Sequence, residues 1–497
     1  MTSIAIQQFK ARYHARQDDV ARLRRITDAT LANALERAVD RAGIGADAYL
    51  CVRDLHTTVR LSLDETDATL AESFGAALAD AISNAAAGAS PSILYYSSRA
   101  QALADVASRA MAGQFGRQWA WKQLGLWSTD AQVSQAAAAE LVLRAIAGEP
   151  RLAAAVIEWL ANKHPLALTA LVARATPRAW VRAAREALRA AGAPIDALEE
   201  DDAPTDGHEV AASPPIAGTA RARAILARSA TAQLAGGCAR DRHPAVVRAL
   251  ATFAILGSEP SALQAPVEHA RSLIAAALQT LRIDADHAPP PRPRDETEAD
   301  SRSGNVESNL PAAQRIAKRG ADADEPLPDV RADVATGHGG LLYLLNVATR
   351  IGLAAAMRDD VRLTARGLRW SLHALGMALA GVDATDPAAL AFAGLMPDAP
   401  PPSSLDDPAT SEEAAAIADC RQSIVSALRA SLDREDDTGD ALLTFICQRP
   451  ARIAAEPGWI EVRMSLDDVS PDIRRAGVDI DPDWIPWLGV VVRFVYA

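Results

Sequence analysis

Asp479, Asp481 and Asp483 stand beside Trp484 and Trp487 near the C-terminal end of the sequence. Loop carboxylates flanked by indole rings suit sugar binding, and a pair of carboxylates is the machinery of glycoside hydrolysis. The run Val478-Asp479-Ile480-Asp481 nevertheless alternates as a strand edge does, and Asp481-Pro482 starts a turn. Arg474 and Arg475 are placed to pair with these aspartates at a surface.

The other chemical candidates are weaker. Gly337-His338-Gly339-Gly340 resembles the glycine-rich oxyanion loop of lipases, but no G-x-S-x-G elbow supplies a nucleophile. Those glycines read better as the end of a linker that lets the next helix pack closely. His338 and His373 make no metal pattern. Asp433, Glu435, Asp436, Asp437 and Asp440 suggest calcium. In that register, though, Thr438 takes the glycine position and Thr444 the glutamate position, so a solvated helix end is the reading. HExxH, GxGxxG and GxxxxGK[ST] are absent, and His208-Glu209 is not followed by a second histidine. Cys51, Cys238, Cys420 and Cys447 lack CxxC spacing and read as free thiols. No catalytic, cofactor-binding or metal residue is assigned, and the chain is expected not to be an enzyme.

The elements that would position such groups are mostly helices. Residues 17–43 form an amphipathic pattern ended by Gly43 and Gly45. Tyr49 to Leu63 switches to period two, a helix runs from Asp64 to about Asn84, Ile93–Tyr96 is a short strand, and Ser98 to Met111 is helical. This is a small α+β unit over 1–127. Its Trp119, Trp121 and Trp127 are expected to dock it onto the helical block beyond it. That block spans 128–192, broken at Gly148-Glu149-Pro150, His164-Pro165 and Pro177, in pieces able to stack like a short solenoid. An acidic linker (193–215), a second helical block (216–283) and a Pro-rich segment expected to be disordered (284–334) come next. The last domain, 335–497, has apolar helices at 341–351 and 363–379 and a further helix at 411–432. It is closed by strands Trp459 to Leu466 and Leu488 to Tyr496, expected to pair antiparallel. Trp484 and Trp487 are expected to pin their connecting loop to the apolar helices. The fold class expected is mostly α and multi-domain, with an α+β N-terminal unit, a helical middle and a helical C-terminal domain closed by a two-stranded antiparallel sheet.

Composition agrees. Of 497 residues 49% are hydrophobic but only 4% aromatic, favouring close helix contacts, and the net charge of -12 argues against tracking nucleic-acid phosphates. The N-terminus has no apolar signal region, and no uncharged apolar run is long enough to cross a bilayer, so a cytoplasmic protein without membrane insertion is expected.

Several stretches resemble the tape-measure-type proteins of extracellular contractile injection systems, the phage-tail-like particles. They are Leu35 to Gly43 ("LERAVDRAG"), Val52 to Leu63 ("VRDLHTTVRLSL"), the glycine-led apolar stretch Gly339 to Leu345 with its Gly352-Leu353 end, and the closing "WIPWLG", Trp484 to Gly489. The resemblance implies a non-enzymatic structural or assembly component with a tape-measure-type role. It would be made in the cytoplasm, be incorporated into a particle, and bind other proteins such as tube or baseplate components. It implies no cofactor and no catalytic residue. The alternative from a different class is an intracellular helical scaffold or regulatory protein-binding module.

Overall fold

A computed structural model describes residues 11–41, 47–87, 92–129, 133–198, 216–239, 241–287, 326–402 and 408–496. The chain divides into two compact units. One contains residues 1–132 with 293–328, the other 133–292 with 329–497.

In the first unit, α1 (Gln17–Arg41) packs on α2 (Asp67–Ala87), and β1 (Tyr49–Val52) pairs antiparallel with β2 (Ile93–Tyr96). The long strand expected over 49–63 is only four residues; beyond it, residues 53–63 form no strand. Ser98 accepts the amide of Gln101 and so caps α3 (Arg99–Met111), which is succeeded by α4 (Gln118–Gln123). Trp121 and Trp127 are buried in this unit's own core, with ring centroids 5.6 Å apart. Gly43 and Gly45 lie outside the described residues.

The second unit begins with α5 (Gln135–Gly148), α6 (Pro150–Lys163), α7 (Pro165–Arg174) and α8 (Pro177–Ala190). Pro150, Pro165 and Pro177 each open a helix at its first turn, where a missing N–H costs nothing. Then come α9 (Ile216–Leu226), α10 (Ala230–Cys238), α11 (Pro244–Ser258) and α12 (Val267–His287). The first two of these are separated at Ser229, which caps the second. At the centre of the two blocks is α11: it packs against α6, α8, α9, α10 and α12, and Val246 to Leu256 is almost wholly buried. Residues 199–215, with Glu199 to Asp202, His208 and Glu209, lie outside the described residues.

The expected two-stranded antiparallel closure is corrected by a five-stranded mixed sheet in the order β3-β4-β5-β7-β6. β3 (Ala332–Thr336) begins inside the stretch read as linker, of which 288–325 lie outside the described residues. β4 (Ala451–Glu456) has an alanine-rich sequence that carries no strand propensity. β5 (Trp459–Met464) and β7 (Val490–Tyr496) pair, but in parallel, Trp459 with Val491 and Met464 with Tyr496. The intervening chain makes the crossover that parallel neighbours need, through the short helix α19 (Pro471–Arg475), and then β6 (Asp483–Ile485) runs back along β7.

Under the sheet lie a 3-10 turn at Gly339–Tyr343, α13 (Leu344–Arg350), α14 (Leu353–Asp359), α15 (Leu368–Ala380), α16 (Pro387–Phe392), α17 (Ser411–Leu432) and α18 (Gly439–Cys447). Thr410 and Glu413 form a capping box at the start of α17. A methyl group on Gly340 would stand 2.0 Å from the carbonyl oxygen of Ile446, and one on Gly339 2.3 Å from Ala451 Cβ. The glycines therefore admit the close approach expected of them. Trp487 joins this core and its Nε1 donates to Thr349 Oγ1 of α13 at 3.1 Å, as the packing reading required. Among the described residues no single helix is long and apolar enough to cross a membrane. The bent pair Gly339–Arg350 and Leu353–Asp359 meets that length only together, and its apolar residues lie in the core.

Candidate functional site

A cleft of about 940 Å³ opens within the second unit. One wall is a stripe of α6 (Arg151, Ala154, Ala155, Glu158, Trp159, Asn162) continued by the end of α11. The other is the start of α15 with the 394–402 loop, and the near end of the sheet forms the floor.

Its charged groups are held by specific partners. Glu158 accepts from Ser229 Oγ and from the amide of Ala230, both at 2.7 Å, so its charge sits on the N-terminus of α10. Glu259, buried, takes Arg221 at 2.7 Å, and Glu456, also buried, takes Arg331 at 3.2 Å. Arg366 pairs with Glu413 at 2.8 Å while its guanidinium lies 4.8 Å from the Trp370 ring centroid. Glu413 is consequently held below the ordinary carboxylate range, chiefly by its hydrogen bond to Arg366.

Arg369 is bound differently. Its Nη1 donates to the Gly394 carbonyl at 3.0 Å and its Nη2 to that of Gly257 at 2.7 Å, at the C-terminal ends of α16 and α11. Helix C-termini carry partial negative charge, so the guanidinium staples two helix ends together. No carboxylate lies within ion-pair distance of it among the described residues, and its Nε meets no acceptor. Burial pulls its pKa down to about 10, although Glu158 and Glu259 act in the opposite direction. At the rim, Arg151 lies over Trp484 at 5.7 Å from its centroid and 3.9 Å from Asp483.

The aspartates read from sequence do not form a pair. Asp479 is buried and accepts from Tyr496 Oη at 3.2 Å, with Arg474 at 3.4 Å. Asp481 Oδ1 accepts the amide of Phe494 at 2.7 Å, covering a stretch of β7 that the short β6 leaves unpaired. Asp483 is exposed at a left-handed φ of 55°. Trp484 Nε1 donates to Ala190 O of α8 at 2.9 Å, and so ties the sheet to the helical block. Arg475 pairs with Asp472, one turn away.

His338 approaches Asp386 at 3.6 Å, but that carboxylate already caps α16 through Ala388 N and accepts from Thr336. His373 is wholly buried on the Ala384 carbonyl. In the acidic cluster, Asp433 ends α17, Arg434 pairs with Asp437 and Arg421 with Asp440. The cysteines are free; burial pushes Cys51 and Cys447 up to about 12, far from the thiolate a nucleophile needs.

Sequence reasoning missed the cleft because Glu158 comes from the middle of α6, Glu259 from the end of α11, and Arg366 and Arg369 from the start of α15, and only the packing of the unit brings them together. The one local signal was Arg366 and Arg369, three residues apart at the edge of an apolar helix. No family model, curated protein or solved structure matches the chain.

Proposed function

We propose that this chain is a protein-binding structural or assembly component of a phage-tail-like contractile injection particle, the role implied by its resemblance to the tape-measure-type family. The observation that supports protein binding is the cleft. Its wall follows α6 from Arg151 to Asn162, a run of roughly 16 Å at 1.5 Å per residue. Alanine, indole, proline and guanidinium groups line it together, a mixture suited to a peptide segment rather than to a single small polar ligand. The role is structural or assembly, of the tape-measure type that the resemblance implies; the longest described helix, α1, has 25 residues.

The test is affinity purification of the tagged full chain from cells making the whole particle, read by mass spectrometry. Tube or baseplate subunits are expected to co-purify in fixed proportion. Recovery of none of them, with one unrelated protein bound stably instead, establishes the scaffold or regulator reading and ends this one.

A further inference from the structure

Resting on the protein-binding reading, we infer that the cleft recognises an acidic side chain of its partner, a glutamate or aspartate carboxylate that docks on Arg369. A guanidinium has five N–H donors in a fixed fork. The two bonds to Gly394 and Gly257 use one hydrogen on each Nη, and both acceptors are neutral carbonyls. The neighbouring carboxylates are already held elsewhere: Glu158 by the start of α10, Glu259 by Arg221, and Glu456 by Arg331. Arg366 has Glu413. Among the described residues, Arg369 thus lines the cleft as a cation matched by helix ends and by carboxylates beyond ion-pair distance. A half-buried cation in that position gains most from an acceptor that carries charge and takes two hydrogen bonds at once.

Other charges bear on the choice of ligand. Exposed Asp329 and Asp398 line the cleft together with exposed Arg151, Lys163 and Arg228, so its outer charges nearly balance. Selectivity for acid therefore comes from one interior contact rather than from a field. The structure assigns the rest of the ligand to the trough beside α6, where Ala154 and Ala155 leave room for a chain. Free carboxylates share the head-group chemistry but not the trough, and they distinguish a peptide from a metabolite.

The experiment pans a phage-displayed dodecapeptide library against the full chain and measures selected peptides by fluorescence anisotropy. Selected sequences are expected to share one Asp or Glu. Changing that residue to Asn or Gln should weaken binding by about 10- to 100-fold, the loss of one charged hydrogen-bonded contact. Arg369→Met should weaken the acidic peptide similarly and leave the amide peptide's affinity unchanged. Arg369 also holds two helix ends, so a second variant, Ala154→Trp, fills the trough with the arginine intact and should abolish peptide binding. Free glutamate at millimolar concentration is expected not to compete.

Selected peptides without an acid, or an acid whose effect is the same on Arg369→Met, overturn the inference. Competition by free glutamate equal to that of the peptide overturns the choice of a protein ligand. If particle subunits co-purify with wild type and with both variants alike, the cleft assignment fails while the particle role stands.

Discussion

In the N-terminal unit a charge stands where the second unit has hydrocarbon. Asp105, fully buried on α3, accepts from Tyr96 Oη at 2.9 Å, Trp121 Nε1 at 2.9 Å and Arg117 at 2.7 Å, with Arg109 at 3.2 Å. Beneath the five-stranded sheet the core is Leu341 to Val347, Leu372, Leu375, Phe392, Ile453, Val462 and Val492. Tyr343 lies within that core and its hydroxyl meets that of half-buried Tyr496 at 2.7 Å. The small unit has one short two-stranded sheet and little area to bury, and a directional hub fixes which side chains meet. The larger unit fixes itself by shape, with glycines where backbones nearly touch.

The largest effects should come from the two centres, by different mechanisms. Asp105→Leu removes the buried charge that accepts from Tyr96, Trp121 and Arg117 and pairs with Arg109, and is expected to cost about 3–5 kcal/mol. Adding Arg117→Met should recover part of that loss, because it removes a buried cation that the lost carboxylate held. Trp487→Ala should cost a similar amount, roughly 3–5 kcal/mol, through lost area and a cavity. Hydrogen exchange resolved by segment reads both: β2, α3 and α4 loosen in the first, α13 and β7 in the second. A loss below about 1 kcal/mol for Asp105→Leu, or no recovery in the double variant, rules out a charge hub in this unit.

Gly340→Ala sharpens the contrast on the side of shape. The added methyl meets a backbone carbonyl, which cannot swing aside as a side chain can. Overpacking of this kind costs roughly 1–3 kcal/mol. The matching alanine substitution at Gly125, whose surroundings are open, meets no atom and is strained only by its φ of 70°. Equal melting points for wild type and Gly340→Ala contradict the close approach.

Helix ends were legible in the sequence because their signals are local: Ser98 and the three prolines of the helical block all stand at the boundaries they mark. Burial of Trp487 was legible from ring size. Strand pairing was not. β3 and β4 carry Ala-Asp-Val-Ala-Thr and Ala-Arg-Ile-Ala-Ala-Glu, and what makes them strands is the partner on each side. The parallel β5–β7 register was equally hidden, since a two-strand reading of adjacent segments defaults to a hairpin. Three tryptophans read as a docking surface left no sign that Trp121 would serve a buried aspartate sixteen positions earlier. The cleft depends on chain separations such as that between Gly257 and Arg369, which no periodicity encodes.

The smallest effect separates the two units by pH. His373 is wholly buried on α15, and burial lowers its pKa below the ordinary 6.5 although its bond to Ala384 O opposes the shift. The unfolded chain binds a proton near pH 6.5 and the folded one only at lower pH. Stability from this group is therefore complete above 6.5 and declines as pH falls through 6.5 toward the folded value. His164, lowered by burial as well, adds to the same slope. Glu413 has the usual carboxylate sign, and its contribution is lost only further down, as pH falls from about 4.5 through its depressed value. Among the described residues of the N-terminal unit no histidine is buried, so between pH 7.5 and 5.5 only the second unit should weaken. His373→Gln, with an amide donor able to reach Ala384 O, should reduce the slope without abolishing it. Urea midpoints tracked by exchange in α15 and in α3 at the two pH values decide the matter. An equal decline in α3, or an unchanged slope in the variant, would place the pH sensitivity elsewhere.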